Sequence, residues 1–147
     1  MPKFMKNINT VSRCITLFRA DRMQDCELSP YHHGYVFTLC RNPGVSQDRL
    51  AQELCINKSN VTRHLAALEE SGYVERRRSE EDRRITLVFP TEKAYAILPR
   101  VREVTREWNE YLTEGLDEAE LERFAELLGK MADRAREYVK EREEASE

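Results

Sequence analysis

Between Ser46 and Phe89 the apolar residues change period, and that change limits what the chain can fold into. Ser46 opens the stretch SQDRLAQEL, in which Leu50, Ala51 and Leu54 share one face of a short helix. A three-residue turn, Cys55-Ile56-Asn57, follows, and Asn57 caps a helix whose Val61, Leu65 and Leu68 fall at i, i+4 and i+7. Gly72 ends that helix in the usual C′ position. From there the spacing becomes alternation, and Tyr73–Arg77 can pair with Ile85–Phe89 across the polar stretch SEEDRR.

Two helices of about 8 and 13 residues, a three-residue turn and an immediate hairpin describe a winged helix-turn-helix. The flanks read as further helices. Phe4, Ile8, Val11, Ile15 and Phe18 recur at steps of four and three, predicting a helix over about 4–24. Ser29-Pro30 supplies an N-cap and a first-turn proline for a helix through Tyr35, Val36, Leu39 and Cys40, stopped by Asn42-Pro43-Gly44. Pro90 ends the second strand and Thr91 caps a long helix to about residue 113. Asp117 and Glu120 form a capping pattern for a last helix to about 142. There Leu121, Phe124, Leu128, Met131, Ala135 and Tyr138 make a heptad-like stripe. There is no internal repeat, and the only low-complexity segment is the KEREEASE tail. The expectation is a mainly α chain with a small β-hairpin wing, one domain over 1–147. A lobe at about 29–90 is flanked by helical arms at 1–25 and 91–147.

The chain is 40% hydrophobic and 35% charged, which suits a soluble helical fold and not a disordered one. No apolar run approaches the roughly 18 residues of a membrane helix, and the N-terminus lacks the apolar core of a signal peptide. Cytoplasmic residence without membrane contact is therefore expected. Cys14, Cys26, Cys40 and Cys55 contain no C-x-x-C pair, so neither a zinc site nor a disulfide framework is expected. The net charge of −3 argues mildly against nucleic acid, but it is unevenly spread. Residues 100–147 hold nine basic and fifteen acidic groups, a balance of −6, whereas the middle carries dense arginine at 76–78 and 83–84.

Those arginines and the preceding helix are the candidate functional residues. Lys58, Ser59, Asn60, Thr62, Arg63 and His64 read as the outward face of the second helix, all donors or acceptors for phosphates and base edges. A merely solvated face would look similar. On the hairpin, Arg76, Arg77, Arg78, Arg83 and Arg84 could reach a narrow minor groove. Glu80, Glu81 and Asp82 at its tip would repel phosphate. Asp82 is better read as an internal partner orienting an arginine. A salt-bridged hairpin without a DNA role is the plain alternative.

The stretch LAQELCINKSNVTRHLAALEESGYVERRRSEEDRRITLVFPTEKA resembles the multiple-antibiotic-resistance regulator (MarR) family of bacterial transcription factors. Its D-x-R signature is Asp82-Arg83-Arg84, and "LEESGYVERR" and "LVFPTEKA" resemble the family's wing junctions. The resemblance is close over about residues 30–98 and holds by pattern outside them. It implies that Arg84 enters the minor groove with Asp82 positioning it, and that the helix from Lys58 enters the major groove. It also implies terminal helices that intertwine into a homodimer on a pseudo-palindromic operator of double-stranded DNA. The dimer contacts would be Phe4, Ile8, Val11, Ile15, Leu121, Phe124, Leu128, Met131 and Tyr138. Core packing within one chain could also explain those stripes. One departure is a short link, about Asp25 to Ser29, between the first two helices.

The same resemblance favours repression relieved by a small molecule or an oxidant. A small aromatic ligand between the DNA-binding lobe and the dimer helices is the first expectation. The second is oxidation of Cys14, whose surroundings Cys14-Ile15-Thr16-Leu17-Phe18 resemble those of the peroxide-sensing branch, with Tyr31 and Tyr35 as hydroxyl donors. A metal-responsive regulator is a narrower rival, because Cys26, His32 and His33 lie near a junction where some relatives bind zinc. A helical interaction protein that does not bind DNA would explain the stripes but not the wing. No convergent acid, base or nucleophile set suggests an enzyme. His32 and His33 are adjacent on a helix, hence about 100° apart. No cofactor and no metal are expected.

Overall fold

The computed structural model describes residues 3–145. The chain divides into two compact units, Met1–Trp108 and Asn109–Glu147. The first contains α1 (Phe4–Arg22), α2 (His33–Arg41), β1 (Val45–Ser46), α3 (Gln47–Leu54), α4 (Lys58–Glu70), β2 (Val74–Arg78) and β3 (Thr86–Pro90). It also takes most of α5 (Glu92–Leu112), and α6 (Glu118–Glu144) belongs to the second. The fold is mainly α with a small antiparallel sheet, as expected.

Local chemistry accounts for the ends of α3 and α4. The Ser46 hydroxyl accepts from the Arg49 amide, and the Asn57 side chain accepts from the Asn60 amide, each satisfying an orphan first-turn donor. At the far end of α4 the Tyr73 amide donates to the Leu68 carbonyl and the Gly72 amide to the Glu69 carbonyl. This is a Schellman arrangement, with Gly72 at φ +80, where a Cβ would be strained. Val61, Leu65 and Leu68 then lie fully buried beside Leu50, Leu39, Val88, Val101 and Val104. Each such side chain contributes about 1.5–3 kcal/mol by leaving water.

The hairpin lies one residue later than the alternation predicts, with Val74 opposite Pro90 and Arg78 opposite Thr86. The sheet also has a third strand. β1 pairs Val45 with Val88 and Ser46 with Leu87, making β3 the central strand. Gly44, at φ +80, passes so close to Phe89 that a Cβ would sit 3.0 Å from its ring. Two residues are too few for a periodic signal, so β1 could not be read from the sequence.

Ser29 and Pro30 do not open α2. The helix begins at His33 with His32 as N-cap and no side-chain cap, and Ser29 instead stabilises a turn through the Tyr31 and His32 amides. The link after α1 is thus longer than predicted. It is pinned by buried Met23 and Leu28 and by the Glu27–Lys93 ion pair. Thr91 does not use its hydroxyl as a cap, since that group donates to the Gly72 carbonyl at 2.6 Å.

α1 buries no residue completely; Phe4 and Val11 are exposed, and Ile8 and Ile15 are half-buried. In the second unit the predicted capping box is present, Asp117 and Glu120 each accepting the other's amide. α6 likewise buries nothing completely. Phe124, Leu128, Met131 and Tyr138 are exposed, while Arg123–Glu126 and Arg134–Glu137 ion pairs occupy its polar positions. Among the described residues no helix is long and apolar enough to cross a membrane.

Candidate nucleic-acid interface

The apolar face of α4 is committed to the core, which fixes what the rest of the helix can present. Lys58, Ser59, Thr62 and Arg63 are exposed and Asn60 is half-buried. These side chains are already ordered. The Arg63 guanidinium donates to Asn60 Oδ1 at 3.1 Å, and the Ser59 hydroxyl to Asn57 Oδ1 at 3.0 Å. Gln47 Nε2 donates to Thr62 Oγ1 at 2.7 Å, and Thr62 Oγ1 donates to the Lys58 carbonyl. Lys58 itself lies 3.5 Å from Asp48. Gln47 and Asp48, at the start of α3, escaped the sequence reading because only the helix-turn-helix crossing brings them to α4.

His64 departs from the outward face predicted for it. It turns toward the start of α2, where Nδ1 lies 3.0 Å from Nε2 of His32. Burial holds the ring below the ordinary histidine range, with a further push from the Arg63 charge.

On the wing the five arginines separate by task. Arg84 forms a two-pronged pair with Asp82, Nε to Oδ1 at 3.0 Å and Nη2 to Oδ2 at 2.9 Å, while its backbone amide also donates to Oδ1. Hydrogen bonding from Arg84 holds the Asp82 carboxyl below its usual range. The Arg84 side chain is nonetheless 90% exposed, so the guanidinium is aimed without being covered. Arg83 is exposed on the same arm. Arg76 turns back to Glu69, whose carboxylate accepts from both its amide and its guanidinium, tying the wing to the end of α4. Arg77 pairs with Glu75 and stacks 4.7 Å from the Phe89 ring centroid. Arg78 donates to the Arg83 carbonyl at 3.1 Å, bracing one arm on the other. Glu69 was missed as an anchor because it meets Arg76 only where the strand turns back along α4, whereas Glu75, two residues from Arg77 on the same strand, was legible and was not read.

Of the remaining candidates only Tyr35 touches α4, through His64. Cys14 is exposed, Tyr31 is exposed, and Tyr35 is buried against the rings of His32 and His64. Burial pushes the Tyr35 hydroxyl up to about 12, against the Arg63 charge. Cys26 Sγ donates to the Met23 carbonyl. Among the described residues no group of three or more His, Cys, Asp or Glu could hold a metal ion. His33 is fully buried with neither ring nitrogen hydrogen-bonded, near Arg19, whose Nε is also buried without a partner.

Comparison with known proteins places this geometry. Residues 28–86 match the MarR family model. Over 143 residues, 95% of each chain, the sequence is 25% identical to an uncharacterised HTH-type transcriptional regulator, YybA, of Bacillus subtilis (strain 168). The fold superposes with a TM-score of 0.84 on a MarR transcriptional regulator from Methanosarcina mazei Go1, 27% identical, covering 91% of this chain and 97% of that one. It also matches the transcriptional repressor CouR bound to a 23-mer DNA duplex, at TM-score 0.75 and 26% identity, covering 86% and 89% of the two chains.

Proposed function

We propose that the chain, which matches the MarR family model over residues 28–86, is a transcriptional regulator of that kind that binds operator DNA as a homodimer and acts as a repressor. α4 enters the major groove with Asn60, Thr62 and Arg63 toward base edges and with Lys58 and Ser59 toward phosphates. The wing reaches the minor groove through Arg84, helped by Arg83 and Arg78. The observation that carries the reading is the Asp82–Arg84 pair, an arginine held by two hydrogen bonds and still open to solvent. Arg76, turned back to Glu69, is by contrast only 23% exposed. The repressor reading is supported by the likeness to CouR.

Dimerisation is supported by the apolar residues left exposed on α1 and, separately, on α6. Release by a small aromatic ligand is the first route, and it rests on the resemblance to the MarR family. Oxidation at exposed Cys14 is the second route.

The test is fluorescence anisotropy with a duplex selected by the purified protein from a random library. Arg84→Ala should weaken binding about five- to 150-fold, as a groove contact contributes ~1–3 kcal/mol. Wild-type affinity should fall steeply with salt. Unchanged binding by the variant, or indifference to salt, would overturn the wing assignment.

A further inference from the structure

His32 and His64 are not used by the wing chemistry, yet they meet. His32 is buried at the start of α2, and its Nε2 lies 3.0 Å from Nδ1 of His64. The rings stand edge-on at 87°, centroids 5.1 Å apart. Tyr35 closes the third side, 5.9 Å from His32 and 5.5 Å from His64, and its hydroxyl makes no hydrogen bond. Among the described residues this is the one side-chain hydrogen bond joining the start of α2 to α4.

Its position on α4 gives it leverage. His64 follows Arg63 directly and lies one turn beyond Asn60, so a rotation of α4 about its axis moves all three together. The apolar contacts of Val61, Leu65 and Leu68 hold the helix against the core but are non-directional. A hydrogen bond between two rings is directional, and this one is set against a fixed neighbour. We propose that His32 is a positioning residue for DNA recognition: its bond to His64 sets the rotation of α4, and so the aim of Asn60 and Arg63 at base edges. The inference rests on the reading of α4 as the recognition helix.

It acts on specificity more than on affinity. Base-edge contacts tolerate only about 0.5 Å of error, whereas phosphate contacts from long flexible cations position the protein without reading sequence. The readout is therefore the ratio of affinities for the library-selected duplex and for a random-sequence duplex. Loss of folded protein lowers both equally and cancels. His32→Phe keeps a ring of similar size and removes the bond. His32→Gln places an amide end near where Nε2 stands, able to donate to His64 or accept from it, and so restores the bond.

The ratio should drop about three- to tenfold in His32→Phe, within the lower part of the range of coupling between contacting residues, and return toward wild type in His32→Gln. Random-duplex affinity should stay unchanged in both. A full ratio in His32→Phe would overturn the proposal and leave the DNA reading intact. If His32→Phe does not fold, His32→Asn replaces it, since its shorter amide falls short of His64. Asn and Gln giving the same ratio would then overturn the proposal. If the wild type selects no preferred sequence, the reading of α4 fails and this inference with it.

Discussion

Arg84 sits among acids that ought to weaken any contact with DNA, with Glu80 and Glu81 exposed nearby and Asp82 bonded to it. Removing the Asp82 charge should by simple electrostatics strengthen phosphate binding. If Asp82 aims the guanidinium, Asp82→Asn should instead weaken binding, less than Arg84→Ala does. Anisotropy on the selected duplex separates the two, and tighter binding by the variant would remove the positioning role. A second residue-scale consequence concerns protons. Burial pulls His32 and His33 from 6.5 down to about 4, aided by His64 at His32 and by Arg19 at His33. The folded chain therefore keeps both neutral where the unfolded chain protonates them. Their contribution to stability is complete above about pH 6.5 and is lost progressively as pH falls toward 4. The urea midpoint should follow that course, and a midpoint flat from pH 7 to 4.5 would contradict it.

At the scale of the element, α4 divides by face. Val61, Leu65 and Leu68 are spent on the core, so only the opposite face can read DNA. Replacing Asn60, Thr62 or Arg63 with Ala should relax preference at one or two operator positions by ~1–3 kcal/mol each. Lys58→Ala should weaken all sequences alike. Repeating the library selection with each variant tests this. If all four variants lose affinity uniformly with unchanged preference, the face contacts backbone only. The wing is a stiff element for a different reason. Glu69 holds Arg76 and Phe89 carries Arg77, so two of its five arginines anchor the hairpin on which Arg84 is presented.

For the whole molecule, the telling observation is what stays uncovered. Leu128 and Met131 are each 40% exposed in the single chain, with Phe124 and Tyr138 more so. In a monomer, Leu128→Lys or Met131→Lys would cost little. In a homodimer it would place an unpaired charge in the interface, at a cost of several kcal/mol. Sedimentation should find the wild type dimeric at micromolar concentration and these variants monomeric or unfolded. A wild-type monomer would refute the assembly.

What the sequence by itself determined is everything carried by local chemistry and short-range period. Ser46, Asn57 and Asp117 cap the helices they precede, Gly72 ends α4, and Val61, Leu65 and Leu68 face inward. Asp82 and Arg84 are two residues apart, so their pairing was legible as well. Tertiary structure decided whatever depends on partners distant in the chain. β1 exists only because β3 offers an edge, and both hairpin strands run one residue later than the alternation predicts. Arg76 and Arg77 became anchors through Glu69 and Phe89, and Gln47 reached Thr62 across the helix-turn-helix crossing. His64 left the outward face because His32 and Tyr35, about thirty residues earlier, replace the ring's hydrogen bond to water with one to His32 and add two aromatic contacts that solvent does not offer. A helical repeat tells which side of a helix is apolar, but not what waits for the polar side chain at the boundary.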